Sequence, residues 1–144
     1  MKTEIYVASK TLYAPMWREL REQGYNIIST WIDEARVGQT KSFADLAVRC
    51  IKEASEADIT IVFALEDEIL KGTLAEIGAA LASGKQVLVA KIEAEEKYNR
   101  MIATSTIIPN HPHVLFVRSL EEALKYVKEK EQLIYGCVIK QGGK

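Results

Sequence analysis

Short apolar runs alternate with amphipathic stretches along the chain. Five runs have the length and the β-branched content of buried strands, and they span residues 5–8, 25–31, 58–64, 86–90 and 113–117. Apolar residues recur at helical spacing in the other long segments, which we predict to be helices over 11–23, 42–56, 72–84, 93–104 and 120–132. Residues 32–40 are polar, contain Gly38 and are predicted to form a loop.

This alternation predicts one α/β domain with a parallel sheet covered on both faces. Because crossovers between parallel strands are right-handed, we expect a doubly wound, flavodoxin-like or Rossmann-like sheet of five strands in the order 2-1-3-4-5. We place the domain at residues 1–132 and a C-terminal tail at 133–144. The tail is apolar over 134–139 and the segment 75–82 is rich in alanine, so we expect a homodimer or a larger homo-oligomer.

Charge and composition narrow the class of protein. The chain has 144 residues, and its 19 Lys and Arg against 20 Asp and Glu give a net charge of −1, which argues against a nucleic-acid partner. No apolar run is long enough to span a bilayer, so no membrane partner is expected. Two cysteines in unrelated contexts favour a reducing, cytoplasmic location. His111 and His113 lack acidic companions, so we expect no metal site.

The candidate ligand site lies where the strand order of the sheet reverses. In doubly wound sheets, ligands bind beyond the carboxyl ends of the strands, here between the first and the third predicted strands. Polar and aromatic side chains follow the strands at this edge, and those that we expect to contact a small molecule are Ser9, Lys10, Trp31, Asp33, Glu68 and Lys71.

The start of the helix over 72–84 carries the most informative group of residues. Gly72 allows a ligand to approach the backbone closely, and Thr73 can hydrogen-bond a ligand hydroxyl. Glu76 is expected in the first turn, where the helix dipole stabilises an anion and so suits a nucleophile. From spacing alone, Glu76 could equally be an ordinary first-turn glutamate.

The spacing of Gly72, Thr73, Glu76 and Gly78, followed by Gly84-Lys85, resembles the nucleoside 2-deoxyribosyltransferase family, whose superfamily includes deoxynucleoside monophosphate N-glycosidases. The similarity extends to the strand 5–8 and to the helix–strand junction 51–58, and covers most of the first 90 residues. The resemblance implies that Glu76 is the nucleophile and that the substrates are nucleosides or nucleotides. It also implies an oligomer in which a partner chain closes the active site.

Two positions depart from the family pattern. The family usually has an aspartate six residues before its nucleophile, and this chain has Leu70 there. The family has another aspartate two helical turns before the aspartate that leads the next strand, and this chain has Cys50 there.

Lys71 could contact a 5′-phosphate or pair with Glu68. Trp31 could stack on a nucleobase or belong to the core, and Asp33 could orient a ribose or a base or be solvated.

These observations predict an enzyme that acts on the N-glycosidic bond of (deoxy)nucleosides or nucleotides without a cofactor. Glu76 would attack the anomeric carbon, and transfer to a second base makes the enzyme a transferase, whereas attack by water makes it a hydrolase. The alternative is a non-catalytic module that binds or senses nucleotides in the same cleft. A ribohydrolase with a Gly-Gly-x-Gly-Thr-x-x-Glu loop ranks last, because only Gly-Thr-x-x-Glu is present. Acids outnumber Lys71 in the loop 65–71, which favours free nucleosides over 5′-monophosphates.

Overall fold

The protein is an α/β domain built on one parallel sheet. The computed structural model describes residues 2–35 and 40–142, with the side chains of 2–35 and 40–133. Its four strands are hydrogen-bonded in chain order, and they are β1 (Ile5–Ala8), β2 (Ile59–Ala64), β3 (Gln86–Lys91) and β4 (Val114–Val117). All three strand pairs are parallel, which confirms the predicted sheet type.

Helices connect the strands and cover both faces of the sheet. They are α1 (Ala14–Glu22), α2 (Phe43–Glu56), α3 (Lys71–Ala82), α4 (Arg100–Ala103), α5 (Ile107–Asn110) and α6 (Leu120–Gly142). Trp17 of α1 packs against Phe63 of β2 with ring centroids 6.1 Å apart. Thr60 lies three residues before Phe63, and since side chains alternate along a strand it points to the opposite face, where α2 and α3 pack against each other.

The predicted second strand and the order 2-1-3-4-5 are wrong. The segment 25–31 makes one isolated bridge, between Ile27 and Ile5, in which the Ile5 N–H donates to Asn26 O and the Ile28 N–H donates to Ile5 O, each over 2.9 Å. The next N–H of β1 that faces this segment, that of Val7, donates to the side-chain oxygen of Ser29 (2.7 Å) instead of a backbone carbonyl. The ladder therefore stops, and a 3-10 turn follows at Thr30–Asp33, which we name the Trp31 turn.

Three other predicted elements also differ. Residues 93–104 hold only the short helix α4, because Asn99 caps it through a 3.4 Å bond to the Ile102 N–H and the chain before Asn99 is irregular. The predicted loop at 32–40 begins inside the Trp31 turn, and its residues 36–39 lie outside the described residues. Helix α6 continues from the predicted end at residue 132 to Gly142, while the side chains of 134–139 lie outside those described. The division at 132 remains a prediction.

The helix caps follow the sequence. Ser42 accepts a hydrogen bond from the Asp45 N–H (3.2 Å) at the start of α2, and Ser119 accepts one from the Glu122 N–H (3.1 Å) at the start of α6.

Every residue of β1 and β2 is buried, so these strands form the centre of the core. The core therefore contains the Tyr6 hydroxyl, and this group faces α2 and α3.

Candidate active site

Glu76 projects from α3 towards the start of that helix. The helix begins at Lys71, so Glu76 lies in its second turn and not in the first turn as expected. Helical side chains tilt towards the N-terminus, and the carboxyl accordingly reaches back over Gly72. A β-carbon at Gly72 would lie 3.6 Å from Oε1 of Glu76, whereas Oε2 is buried without a hydrogen-bond partner among the described residues.

The position of Glu76 changes its expected charge. Burial raises the pKa of Glu76 from 4.5 to about 7, the Tyr6 hydroxyl opposes this rise, and the negative charge of Glu53 adds to it. The expectation that the helix dipole keeps this carboxyl ionised does not hold. The dipole acts mainly within the first turn, and burial outweighs it here.

The Tyr6 hydroxyl is the buried neighbour of Glu76. Tyr6 is fully buried, and its hydroxyl lies beside the Glu76 carboxyl and the Cys50 thiol without hydrogen-bond geometry to a partner in the described residues. Burial holds the pKa of Tyr6 far above its usual range, so the phenol stays protonated. Thr60 of β2 pairs with Tyr6 and lies on the same face of the sheet. Its hydroxyl is also buried without a hydrogen-bond partner among the described residues. This face of the sheet thus presents unsatisfied polar groups beneath α2 and α3.

Cys50 stands on α2 where the family resemblance expects an aspartate. Its thiol is partly buried, and burial raises its pKa, so it is neutral at pH 7. The thiol lies beside Tyr6 and within the electrostatic reach of Glu76. The chain therefore places a neutral group next to Glu76 where the resemblance expects a second acid.

A polar network behind Cys50 joins α2 to the Trp31 turn. The Thr30 N–H and hydroxyl donate to the two carboxylate oxygens of Glu53 over 3.0 and 2.8 Å. Arg49 Nη1 donates to the Thr30 hydroxyl oxygen (2.6 Å), and Arg49 also forms ion pairs with Glu34 (2.6 Å) and Asp45 (2.8 Å). Glu53 is consequently a fixed carboxylate one turn beyond Arg49.

Of the two alternatives for Trp31, the structure supports a place in the core, and stacking on a nucleobase remains a prediction. Trp31 is buried, and its Nε1–H donates to Val7 O over 2.8 Å, so most of the indole belongs to the core. Its remaining edge lines a cavity of about 380 Å³ beyond the carboxyl end of β1. The other lining residues are Thr11, Glu34, Ala35, Thr40, Phe43 and Leu46.

Two predicted site residues are engaged elsewhere in the fold. The Ser9 hydroxyl accepts from Trp17 Nε1–H (2.8 Å) and donates to the carbonyl of Lys10 (3.0 Å). Asp33 forms a two-pronged ion pair with Arg21, at 2.7 and 2.9 Å, on the side of α1. These contacts give Ser9 and Asp33 a structural role. They also leave both side chains with fewer free lone pairs for a ligand.

Hydrogen bonds and ion pairs hold the acidic loop before α3 in place. Glu68 accepts a 2.6 Å hydrogen bond from the Leu65 N–H, and the buried Asn99 donates to the carbonyls of Leu65 and Glu68 over 2.8 Å each. Arg100 pairs with Glu66 (3.3 Å) and Asp67 (3.1 Å). The loop is therefore less acidic than its own sequence indicates.

The first residues of α3 remain available to a ligand. Lys71 and Gly72 are exposed, while Thr73 is buried. Within the described side chains Lys71 makes no ion pair, so the predicted alternative of a pair with Glu68 is not formed. Lys10 is partly exposed at the carboxyl end of β1, and its carbonyl accepts from the Tyr13 N–H (3.1 Å).

The sequence did not point to the residues that surround Glu76 most closely. Tyr6 carried one signal, a hydroxyl in an otherwise aliphatic strand, and Glu53 and Thr30 carried none, because their pairing is long-range. No group of three or more His, Cys, Asp or Glu side chains in 2–35 and 40–133 is arranged to hold a metal ion. The described helices include none with the length and apolar character needed to cross a membrane.

Comparison with known proteins bears on the fold of the chain. No protein-family model matches the chain, and no curated protein matches it. The structure of the Clostridium botulinum CMP N-glycosidase BcmB is similar, with a TM-score of 0.51, 19% sequence identity, and coverage of 89% of this chain and 98% of that chain.

This chain shares its fold with that solved structure. That enzyme is a member of the nucleoside 2-deoxyribosyltransferase-like superfamily, so the resemblance seen in the sequence is confirmed at the level of the fold.

Proposed function

We propose that this protein cleaves the N-glycosidic bond of nucleosides or nucleotides, with Glu76 as the nucleophile. The observation that carries the proposal is the Glu76 carboxyl itself. One of its oxygens lies 3.6 Å from the position of a β-carbon at Gly72, and the other is buried near the Tyr6 hydroxyl without a hydrogen-bond partner among the described residues. The similarity to the CMP N-glycosidase fold supports the same class of reaction.

In the proposed mechanism, an ionised Glu76 oxygen attacks the anomeric carbon as the bond to the base nitrogen breaks. The bonding electron pair leaves with the base, which takes up a proton, and the sugar remains as an ester on Glu76. Water then hydrolyses the ester, or a second base accepts the sugar. Because burial raises the pKa of Glu76 to about 7, a rise in pH through the neutral range increases the share of the reactive anion.

Proton supply to the leaving base is the unusual part of this site. The neutral Cys50 thiol stands where the resemblance expects an acid, and Glu53 is held by Thr30. We therefore infer that solvent, and not a carboxylic acid of α2, protonates the base.

The sugar end of the substrate is a separate part of the proposal. The excess of acid in the loop favoured free nucleosides, but Arg100 pairs with Glu66 and Asp67 and reduces that excess. The similar solved enzyme acts on CMP, a 5′-monophosphate. Both nucleosides and monophosphates therefore belong in the assay.

A second function, a nucleotide-binding or sensing module, is favoured by one observation. Two-step glycosidic cleavage usually employs two carboxyl groups. Here the neighbour of Glu76 on α2 is Cys50, and the raised pKa of Glu76 reduces the share of nucleophilic anion. Such a site can still bind a nucleotide without cleaving it.

Base release measured by chromatography tests the two functions. The panel contains deoxynucleosides, ribonucleosides and their 5′-monophosphates, with and without a second base as acceptor. We expect release by the parent and by Glu56→Gln, a variant at an exposed position of α2, and none by Glu76→Gln or Glu76→Ala. Binding without release in the parent would instead support the sensing module, and release within a few-fold of the parent in Glu76→Ala would exclude Glu76 as the nucleophile.

We also propose that the protein forms a homodimer or a larger homo-oligomer in the cytoplasm. The outer side of α2 supports self-association, because it exposes three large apolar side chains, Phe43 (78% exposed), Val48 (68%) and Ile51 (42%). Exposed Ala75 and Ala82 of the adjacent α3 allow close approach of another helix.

A further inference from the structure

Asn99 is a buried side chain that bonds to a distant turn of the chain. It is 1% exposed, and its Nδ2 donates to the carbonyls of Leu65 and Glu68 over 2.8 Å each. These partners lie 34 and 31 residues earlier in the chain. Its Oδ1 accepts from the Ile102 N–H over 3.4 Å and so caps α4. Both amide N–H groups and the amide oxygen of Asn99 therefore have protein partners.

Residues 65–68 form a closed turn, which we name the 65–68 turn. The Glu68 N–H donates to Leu65 O over 3.3 Å, and Oε1 of Glu68 accepts from the Leu65 N–H over 2.6 Å. The backbone N–H of Arg100, the residue after Asn99, donates to Glu66 O over 2.8 Å. Residues 99 and 100 thus bond to three of the four carbonyls of the turn.

The 65–68 turn leads directly into the helix that carries Glu76. Only two residues separate the turn from Lys71, where α3 begins. The second of them, Leu70, is buried and accepts from the Leu74 N–H over 3.3 Å, so it is joined to the first turn of the helix. A shift of the 65–68 turn would therefore displace the exposed residues Lys71 and Gly72 at the start of α3.

The residue type at position 99 fits this second task. Aspartate, serine and threonine cap helices about as well as asparagine does. Among these four, asparagine alone carries two N–H donors on one nitrogen, which can bridge two carbonyl oxygens. A cap for α4 would not by itself need an amide, whereas a bridge to Leu65 and Glu68 does.

We propose that Asn99 is a positioning residue of the candidate active site, which fixes the start of α3 for a bound nucleoside or nucleotide through the 65–68 turn. The inference rests on the proposed function and deepens it. Glu76 itself is held separately, because its neighbours Ile77 and Ala80 on α3 are fully buried in the core. Loss of the two hydrogen bonds to the turn should therefore weaken ligand binding more than it changes the reaction at Glu76.

Asn99→Ser separates the bonds to the turn from the helix cap. The serine hydroxyl can still accept from the Ile102 N–H, but both amide donors are lost. We expect KM for base release to rise at least about fivefold while kcat changes less, because the lost contacts act on binding and not on the reacting carboxyl. A merely structural role would lower the folded fraction, which reduces the apparent kcat and leaves KM unchanged.

Asn110→Ser is the matched control. Nδ2 of this exposed residue on α5 also donates to a carbonyl, that of Thr106 (2.7 Å), and its replacement should change neither KM nor kcat. If Asn99→Ser fails to fold, Asn99→Asp replaces it, since aspartate keeps the shape and the cap without the two donors. An unchanged KM in the folded variant overturns the inference. Failure of both variants to fold also overturns it, because Asn99 would then be required by the fold and not by the site.

Amide hydrogen exchange, measured by mass spectrometry, distinguishes this inference from the proposed function because it needs no turnover. In Asn99→Ser, the amides of residues 65–73 should exchange at least about tenfold faster than in the parent, while those of β1 and β3 keep their rates. This local change in a protein that releases no base supports the role of Asn99 and refutes the enzyme. Base release with unchanged exchange over 65–73 supports the enzyme and refutes the role of Asn99.

Discussion

Oε1 of Glu76 lies 3.6 Å from the point that a β-carbon at Gly72 would occupy, one helical turn earlier. This separation is ordinary van der Waals contact, so an alanine fits at Gly72 without displacing the carboxyl. An added methyl group would nonetheless lie in contact with the oxygen that we propose as nucleophile. A single methyl group added at Gly72 should therefore change the stability of the protein and its activity in opposite directions.

We predict that Gly72→Ala stabilises the protein and impairs base release. Replacement of a helical glycine by alanine raises the free energy of unfolding by about 0.5–1 kcal/mol. The methyl group should reduce kcat/KM at least about tenfold, since a shift of about 1 Å in a reacting geometry can cost more than that. Urea denaturation and the base-release assay measure the two effects.

Gly78→Ala is the matched control for this variant. A β-carbon at Gly78 meets nothing within 4 Å, and the residue lies on the same helix. It should show the same gain in stability with unchanged base release. Equal activity in both alanine variants would mean that the substrate does not approach Glu76 from the side of Gly72.

The buried carboxyl also predicts a pH dependence of stability. Its pKa is about 7 in the folded protein and 4.5 as the reference value, so the unfolded chain loses this proton first as pH rises. Glu76 therefore destabilises the fold progressively between about pH 4.5 and 7, by at most about 3 kcal/mol above that range. We expect Glu76→Gln to be more stable than the parent at pH 8 and equal to it at pH 4. Thermal denaturation at both pH values measures this, and an equal difference at the two values would contradict it.

Tyr6→Phe should affect Glu76 more than it affects the fold. The Tyr6 hydroxyl makes no hydrogen bond within the described residues, so its removal should change the free energy of unfolding by less than about 1 kcal/mol. The hydroxyl opposes the rise in the pKa of Glu76, so its loss should move the acidic limb of the pH–rate profile to higher pH. Tyr126→Phe, on α6, controls for loss of a hydroxyl elsewhere. A profile that moves to lower pH would contradict the assignment of Tyr6 as a stabilising neighbour of the anion.

The 5′ end of the substrate is tested by competition binding of a deoxynucleoside against its monophosphate. From the acids of the loop we expect the free nucleoside to bind at least as tightly, because like charge beside a dianionic phosphate is unfavourable. Clearly tighter binding of the monophosphate, weakened by Lys71→Ala or Lys10→Ala, would reverse this preference and assign the lysines to a phosphate. Arg100→Ala shows whether the ion pairs with Glu66 and Asp67 set the charge of the loop.

Self-association should depend on the outer side of α2. We expect the parent to sediment as a dimer or larger at micromolar concentration, and Val48→Glu to sediment as a monomer. Ile107→Glu is the control, since Ile107 is also exposed but lies on α5. A monomeric parent would exclude the proposed oligomer, and a dimeric Val48→Glu would place the interface elsewhere.

The central strands and the helix starts could be predicted from the sequence because they depend on residues close together in the chain. β2 and β3 are apolar runs, and Ser42 and Ser119 are serines that cap the helices that follow them. The segment 25–31 has the composition of a strand but forms a single bridge. Composition does not show that Ser29 Oγ takes the hydrogen bond that a backbone carbonyl would accept in a longer ladder.

The candidate site was less predictable because its chemistry is long-range. The motif around Gly72 and Glu76 lies within one helix, and its spacing was visible. The environment of Glu76 comes from β1 and α2, which contribute Tyr6, Cys50 and Glu53 from positions 23 to 70 residues away in sequence. Desolvation by these elements reversed the expected shift in the pKa of Glu76.

The single bridge between Ile5 and Ile27 has a consequence for solubility. An exposed edge of β1 would offer unpaired N–H and C=O groups to a strand of another chain, which is a route to aggregation. The segment at 26–29 occupies that edge with three hydrogen bonds, from Ile5, Ile28 and Val7, without offering a long new edge of its own. The chain thus ends its sheet with a short cover that shields β1 from edge-to-edge pairing.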